Sequence, residues 1–456
     1  MGIRAVLLNT MRVWFCFTIL IALIIGFSNF YTTFAAVFSG FTTGTTPVSV
    51  AIHPTDYKIY VANQGSNNVT ILDEINATTT TVDVGTTPKA IAVNTVTNKI
   101  YVVNYASNNV TIIDGVSRAT STVEVGIAPN AVAVNLTTNK IYVANSISNS
   151  VTVLNGASNT TISIPTETSP KAIAVNVVTN RIYVANYLSN SVTIIDGVSN
   201  LTTTIAVGNS PNAIVINEST NKIYVTNQGS NNVSVIDGSN NATTLVSVGT
   251  TPIDLAINPL TNKIYVANQG SNNVTVIDGL SNITTTVQAG ITPSAIEINQ
   301  IEPNKIFVSN FSGNNVIIIE GSNLTLTTIP TGNQPSALAV SPTTNRLYVA
   351  NQSSNSVSVI NPFVLSTITA TTIIPTNYNL TVTSAIADGV SITPIIVQLK
   401  DSSGQSFLIN YGNILELSTT LGTLDLVTYI GSGKYIANLT SPNKVGTAQI
   451  TGILGG

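Results

Sequence analysis

Hydrophobic and polar positions along this chain alternate in short runs of five to seven residues, and one run recurs. It reads basic, aliphatic, aromatic, Val, any residue, Asn. The first copy is Lys58-Ile59-Tyr60-Val61-Ala62-Asn63, and others start at Lys99, Lys140, Arg181, Lys222, Lys263, Lys305 and Arg346, at spacings of 41, 41, 41, 41, 41, 42 and 41 residues. A fixed period of about 40 residues built from short strands is the signature of a β-propeller.

The unit from Pro88 to Ala128 shows the strands. Residues 88–94 form a short run rich in small and β-branched side chains, 99–104 a second, 109–114 a third and 120–125 a fourth, separated by turns rich in Asn, Ser and Gly. Four antiparallel strands in 41 residues make one blade. Ala90 and Ala92 of the first strand are expected to line the central channel, where side chains converge and small ones fit. The tyrosine of the second strand is expected to pack between neighbouring blades. Each of eight units starts at a proline (Pro47, Pro88, Pro129, Pro170, Pro211, Pro252, Pro293, Pro335). The chain is therefore read as all-β, an eight-bladed propeller of four-stranded blades over residues 37–375. A strand within 37–43 is expected to complete the last blade. The alternative is seven blades with one unit outside the ring.

Loop length predicts the register. If Asn63 opposes Asn68, then Lys58 faces Asp73, and likewise Lys99 faces Asp114, Arg181 Asp196, Lys222 Asp237, Lys263 Asp278 and Lys305 Glu320. Lys140 faces Asn155 and Arg346 faces Asn361. Half of the 16 Lys and Arg sit at this position. The facing acids cancel a ring of positive charge, so these residues are predicted to be cross-strand ion pairs, each worth a few tenths to ~1 kcal/mol, rather than an anion site. The Asn that ends each second strand is read as a strand-end residue bonded to local backbone.

The fifth copy contains the string Tyr224-Val225-Thr226-Asn227. Residues 44–375 resemble the YVTN family of β-propeller repeats, found in archaeal surface-layer and bacterial envelope proteins. That resemblance implies an extracellular propeller without implying an activity. The family usually has seven blades, whereas eight complete units stand here.

After Pro375 the period stops. Residues 376–456 carry Ala387-Asp388-Gly389, a run ending in Asp401-Ser402-Ser403-Gly404, Gly433-Lys434-Tyr435 and Gly446-Thr447-Ala448. This order resembles the Ig-like repeats of invasin- and intimin-type adhesins. It implies a β-sandwich serving as a spacer or docking module.

Composition adds the compartment. The only Cys (Cys16) and the only Trp (Trp14) lie in the apolar stretch 13–27, which follows Arg4 and Arg12. A basic start, an apolar run and Thr33-Phe34-Ala35 read as a secretory signal peptide or an uncleaved anchor over 1–36. The remainder has no cysteine, so packed sheets alone must stabilise it. With 8% charged residues and a net charge of -3, no footprint for nucleic acid exists.

His53, the only histidine, occupies a position where other units have Asn and reads as a turn variant. No G-x-S-x-G, phosphate loop or H-E-x-x-H string is present. No catalytic residue, cofactor or metal is assigned. The unit-specific acids Asp83, Glu124, Asp254 and Glu297 are candidates for a channel mouth. Of 16 Asn-x-Ser/Thr sequons, Asn68, Asn109, Asn232 and Asn273 recur at one loop position and are expected to be the most accessible to glycosylation. The expectation is an extracellular structural or adhesion protein that contacts other surface proteins or glycans. The membrane enters only through an uncleaved N-terminus. The alternative is a secreted propeller enzyme, a hydrolase or lyase on polysaccharide or a small metabolite.

Overall fold

The computed structural model describes residues 36–299 and 304–361, and beyond them the segments 368–370, 378–381, 392–399, 415–419, 422–425, 427–431, 434–440 and 448–454. The expected signal segment and several of the C-terminal strings lie outside the described residues.

Eight separate four-stranded antiparallel sheets follow one another, the first seven with their strands in sequence order. Blades 1 to 7 span 47–83, 88–124, 129–165, 170–206, 211–247, 252–288 and 293–330. Blade 8 takes three strands from 335–361, and its fourth and outermost strand is Ala36–Thr42, which pairs with Ser356–Asn361. The propeller thus has eight blades, and the N-terminal strand locks the ring by completing the last one. Ring closure also appears in packing: Tyr348, Val357 and Val359 of blade 8 share a core with Ile59, Val61 and Leu72 of blade 1.

Blade 2 shows why these residues form strands. In Lys99–Asn104 every side chain after the lysine is buried. That strand is covered on both faces, so β-branched and aromatic residues run without alternation. The outermost strand, Thr120–Glu124, is mostly exposed and polar. The tyrosines behave as expected. Tyr60, Tyr101, Tyr142, Tyr183, Tyr224, Tyr265 and Tyr348, with Phe307 in blade 7, are fully buried. Tyr60, for example, packs with Ala62 and Val69 of its own blade against Ile91, Ile100 and Val102 of the next. Burial pushes the phenol of Tyr142 up to about 12.

The first strand of each blade begins with a bulge, between Pro88 and Ala90 in blade 2 and at the matching place in the others. Proline cannot donate to the ladder, and the bulge turns the residue after it out of register. The residue before each proline lies in the left-handed region, among them Thr46 (φ 57°), Ala128 (φ 57°) and Gln334 (φ 55°). An Asn of the preceding blade holds each one. Thr87 N–H donates to Asn67 Oδ1 at 2.9 Å, Ala128 to Asn108 at 2.9 Å and Gln334 to Asn314 at 2.8 Å. Around the ring the eighth such bond joins Thr46 to Asn355 of blade 8 at 2.9 Å.

The described C-terminal strands form two sheets. One orders Ile368–Ala370, Ala448–Leu454 and Leu415–Thr419. The other contains Tyr378–Thr381, Ile392–Leu399, Lys434–Thr440 and Thr423–Leu424, with Thr428–Gly431 also pairing to Lys434–Thr440. Ala437 and Leu439 are buried, and Asn438 Nδ2 donates to Asp425 Oδ2 at 2.8 Å.

The hydroxyl of Tyr142 is buried without a hydrogen-bond partner, and blade 7 already uses Phe307 at this position. Tyr142→Phe should leave the thermal midpoint unchanged or raise it. Tyr142→Ala should cost about 3–5 kcal/mol in denaturant unfolding, because it opens a cavity between two blades.

Candidate functional site in the central channel

The first strands line the channel. At its two innermost positions they place small or aliphatic residues almost everywhere: Ser49 and Ala51, Ala90 and Ala92, Ala131 and Ala133, Ala172 and Ala174, Ala213 and Val215. Blades 6 and 7 depart from this, with Asp254 and Glu297. Both line a cavity of about 460 Å³ together with Ser49, Ser294 and Ser336. Asp254 bridges two blades: Oδ1 accepts from Leu255 N at 2.9 Å and Oδ2 from Ile296 N of blade 7 at 3.0 Å. Glu297 Oε1 accepts from Ile298 N at 3.2 Å. Burial pushes Asp254 up to about 6. Burial, and then the nearby Asp254 charge, push Glu297 up to about 7. Each still keeps part of its surface open to the channel. Two carboxylates that change protonation near neutrality can hold a proton or a cation in the channel. Of the four unit-specific acids, only these two are at the channel. Asp83 and Glu124 lie on outermost strands, exposed at the rim.

The predicted register holds: Lys58 is opposite Asp73, Lys99 opposite Asp114, Arg181 opposite Asp196, Lys222 opposite Asp237, Lys263 opposite Asp278 and Lys305 opposite Glu320. The predicted ion pairs do not follow from it. Among the described residues only Lys305 and Glu320 of these six are in contact as a salt bridge. The basic residue instead crosses to the next blade. Lys58 Nζ donates to Gly115 O at 3.0 Å, Lys99 to Gly156 O at 3.0 Å, Arg181 Nη1 to Gly238 O at 2.8 Å and Lys222 Nζ to Gly279 O at 3.3 Å. Lys140, which faces an Asn, makes the same bond to Gly197 O at 2.6 Å. The acids are occupied by their own turns. Asp114 Oδ1 accepts from Val116 N at 3.1 Å and Ser117 N at 2.8 Å. Turn hydrogen bonds, from Asn76 first in Asp73 and from the turn serine first in the others, hold Asp73, Asp114, Asp196, Asp237 and Asp278 below the usual carboxylate range. A short side chain that caps its own turn cannot also reach across the ladder to a lysine.

The strand-end asparagines are fully buried, and seven of the eight donate to side chains alone, while Asn310 also donates to Val308 O at 3.4 Å. Asn63 Nδ2 donates to Asn68 Oδ1 at 2.8 Å and to Thr70 Oγ1 at 2.9 Å. Thr70 Oγ1 in turn accepts from Gly44 N at 3.2 Å. This network reverses the glycosylation expectation. Asn68, Asn109, Asn232 and Asn273 each accept from the preceding strand's Asn, at 2.8, 2.9, 2.7 and 2.9 Å. The middle and last residues of their sequons, such as Val69 and Thr70, are buried in strands. The accessible sequon asparagines in the propeller include Asn76, Asn159 and Asn323 in outer turns.

The seam between blades 8 and 1 carries a cluster that strand patterning did not single out. From blade 2 round to blade 8 one blade's Asn donates to the next blade's turn Asn, as Asn94 does to Asn139 at 2.9 Å and Asn135 to Asn180 at 2.9 Å. At the seam Ser341 replaces the donor, Tyr57 the turn Asn and Glu74 the glycine. The Glu74 carboxylate supplies the missing acceptor. It takes hydrogen bonds from Ser341 Oγ at 3.4 Å and from Thr344 Oγ1, and lies 3.8 Å from Arg346 Nη1. Column-by-column comparison of the repeats would have exposed all three exchanges. His53, at the blade 1 position that Asn94 holds in blade 2, is buried, its Nδ1 3.2 Å from Thr55 Oγ1 and 3.9 Å from Asp56 Oδ1.

Comparison with known proteins agrees with this architecture. Residues 375–456 match the family described as Invasin, domain 3. Residues 195–282 match the family described as Lactonase, 7-bladed beta-propeller. That second match covers blade 5 and parts of blades 4 and 6, so it does not bear on the count of eight. Among solved structures, hydrazine synthase of Kuenenia stuttgartiensis is 20% identical, with a TM-score of 0.52, over 74% of this chain and 99% of that chain. Saccharomyces cerevisiae Sqt1 is 9% identical, TM-score 0.61, over 72% and 99%. A streptogramin B lyase is 13% identical, TM-score 0.50, over 60% and 93%. Likeness at these identities shows a shared propeller fold alone. No curated protein sequence matches the chain.

Two outcomes follow. Asp254 and Glu297 have raised folded pKa values, so the folded state holds protons that the unfolded chain gives up. Their contribution is full below the ordinary carboxylate pKa and is lost as pH rises through about 6 to 7. Stability measured by denaturant unfolding should fall between pH 5 and pH 8, by on the order of 2 kcal/mol per carboxylate after allowance for channel water. Asp254→Asn with Glu297→Gln should flatten that slope; a slope unchanged in the double variant would contradict the assignment. Separately, Lys140→Met should cost about 1–2 kcal/mol through the lost bond to Gly197, while Asn155→Asp should change stability by less than about 0.5 kcal/mol.

Proposed function

We propose that this chain is a cell-surface scaffold with an adhesive role, its propeller offering protein or glycan contacts and its C-terminal segment acting as a spacer or docking module. The observation that carries this reading is the match of residues 375–456 to invasin domain 3, joined in one chain to an eight-fold propeller. Repeat regularity supports it, since most of the sequence maintains blade register. The basic start and apolar stretch at the N-terminus support export. Protease added to intact cells of the native host should remove the propeller epitope without lysis, and deletion of the gene should reduce attachment. Recovery of the protein wholly from the cytosolic fraction, shielded from protease, overturns the proposal.

A second reading, a secreted hydrolase or lyase, draws on Asp254 and Glu297. A carboxyl group titrating near 7 suits general acid–base work. Turnover of a polysaccharide that Glu297→Gln abolishes would establish it.

A further inference from the structure

The residues that follow the blade-opening prolines sit on bulges at the channel mouth. In chain order they are Val48, Lys89, Asn130, Lys171, Asn212, Ile253, Ser294 and Ser336. Outside the repeated strand motif the propeller has only three basic residues, Lys89, Arg118 and Lys171. Two of the three therefore share this single column, in blades 2 and 4. A second column breaks in step with it. The residue after the buried strand-end Asn is Gln64, Tyr105, Ser146, Tyr187, Gln228, Gln269, Phe311 and Gln352. The two tyrosines of this column are in the same two blades as the two lysines.

The structure brings both pairs together. Lys89, Tyr105, Asn130, Ser146, Lys171 and Tyr187 line one cavity of about 420 Å³. Blade 3, between the two Lys–Tyr pairs, contributes only Asn130 and Ser146, so the lining combines two tyrosines, two cations and small polar groups, with Leu188 beside Tyr187. Asn130 Nδ2 donates to Lys171 O at 2.9 Å and fixes the backbone beneath the second lysine. Lys171 Nζ lies 5.6 Å from the centre of the Tyr187 ring. Neither lysine forms a salt bridge among the described residues. Burial, and then the charge of Lys89, hold the Lys171 ammonium below the usual lysine range. Two like charges held within each other's field without an acid are unfavourable in the free protein, and an anion relieves both.

We infer that this cavity binds an acidic saccharide, with Lys89 and Lys171 on a sugar carboxylate and Tyr105 and Tyr187 against the ring faces. Tyrosine offers a rigid apolar surface with a polar tip, which suits the C–H face of a sugar. The Asn130 amide and the Ser146 hydroxyl suit its hydroxyl groups. The volume lies in the range of small-ligand sites, enough for one or two sugar units. Asp254 and Glu297, in blades 6 and 7, stand across the ring from blades 2 and 3, so their charge favours the anion on the lysine side. The inference rests on the glycan-binding form of the proposed function and names its ligand class.

The test uses the full chain with a hyaluronan tetrasaccharide, which carries glucuronate, and with chitotetraose as its uncharged counterpart, by calorimetry. Hyaluronan tetrasaccharide should bind, weaken as salt is raised, and exceed chitotetraose by at least about tenfold in affinity. Lys89→Gln with Lys171→Gln should lower that affinity by at least about tenfold, and Tyr187→Ala should do the same, with thermal midpoints within a few degrees of the parent. No binding of the acidic sugar, equal binding of the two sugars, or binding unaffected by both variants overturns the inference. Surface exposure on cells, which tests the proposed function, is read independently of any of these.

Discussion

One side-chain amide per blade junction holds the ring together. The Oδ1 of the loop Asn (Asn67, Asn108 and their counterparts to Asn355) accepts the N–H of the residue that precedes the next blade's proline. That residue has a left-handed backbone, which costs a non-glycine residue about 1–2 kcal/mol. The strain is tolerable because its N–H is satisfied from the neighbouring blade and because the proline after it fixes the start of the channel strand. The loop that supplies this acceptor is itself left-handed at the Asn, a conformation Asn adopts more readily than most residues. Bending the chain between blades and bonding blade to blade are therefore the same event, repeated eight times.

Buried apolar packing supplies most of the remaining cohesion. Each hydrophobic cluster draws on two successive blades, as Tyr142, Val151 and Val153 do with Ile173, Ile182 and Val184. No blade buries its own faces alone, so a single unit has little reason to fold by itself. On the face opposite the prolines the basic residues of blades 1 to 5 add a further link by reaching the glycine carbonyl of the next blade.

The repeat alone makes the propeller, the blade number, the strand register and the buried tyrosines readable. Periodicity is a statement about backbone and burial, and those were the features it reported correctly. It failed where side chains choose among partners. Lys58 and Asp73 are neighbours in the ladder, yet Asp73 takes the N–H groups of its own turn and Lys58 takes a carbonyl 57 residues away in sequence. Asn68 stands next to a connection, yet it opens the strand Asn68–Asp73 and belongs to the buried hydrogen-bond network. The channel carboxylates were visible as breaks in the repeat. Glu74, Tyr105 and Tyr187 were present as breaks too, but in columns that strand patterning treats as turns, and Lys89 and Lys171 stand at the bulged second position of the first strand.

The way the ring closes has a mechanical consequence. Ala36 begins the locking strand and is paired with Asn361, the last residue of the propeller's final described strand. The chain therefore enters and leaves the disc at the same end of one two-stranded ladder. Tension applied between those two points loads the ladder from that end, bond after bond, in the manner of a zipper rather than in shear. The other seven blades lie outside the load path. Opening that single ladder exposes the edge of blade 8 and withdraws Phe41 from the core that blades 8 and 1 share, while the cores between the other blades stay intact, so an external pull acts first on one two-strand ladder.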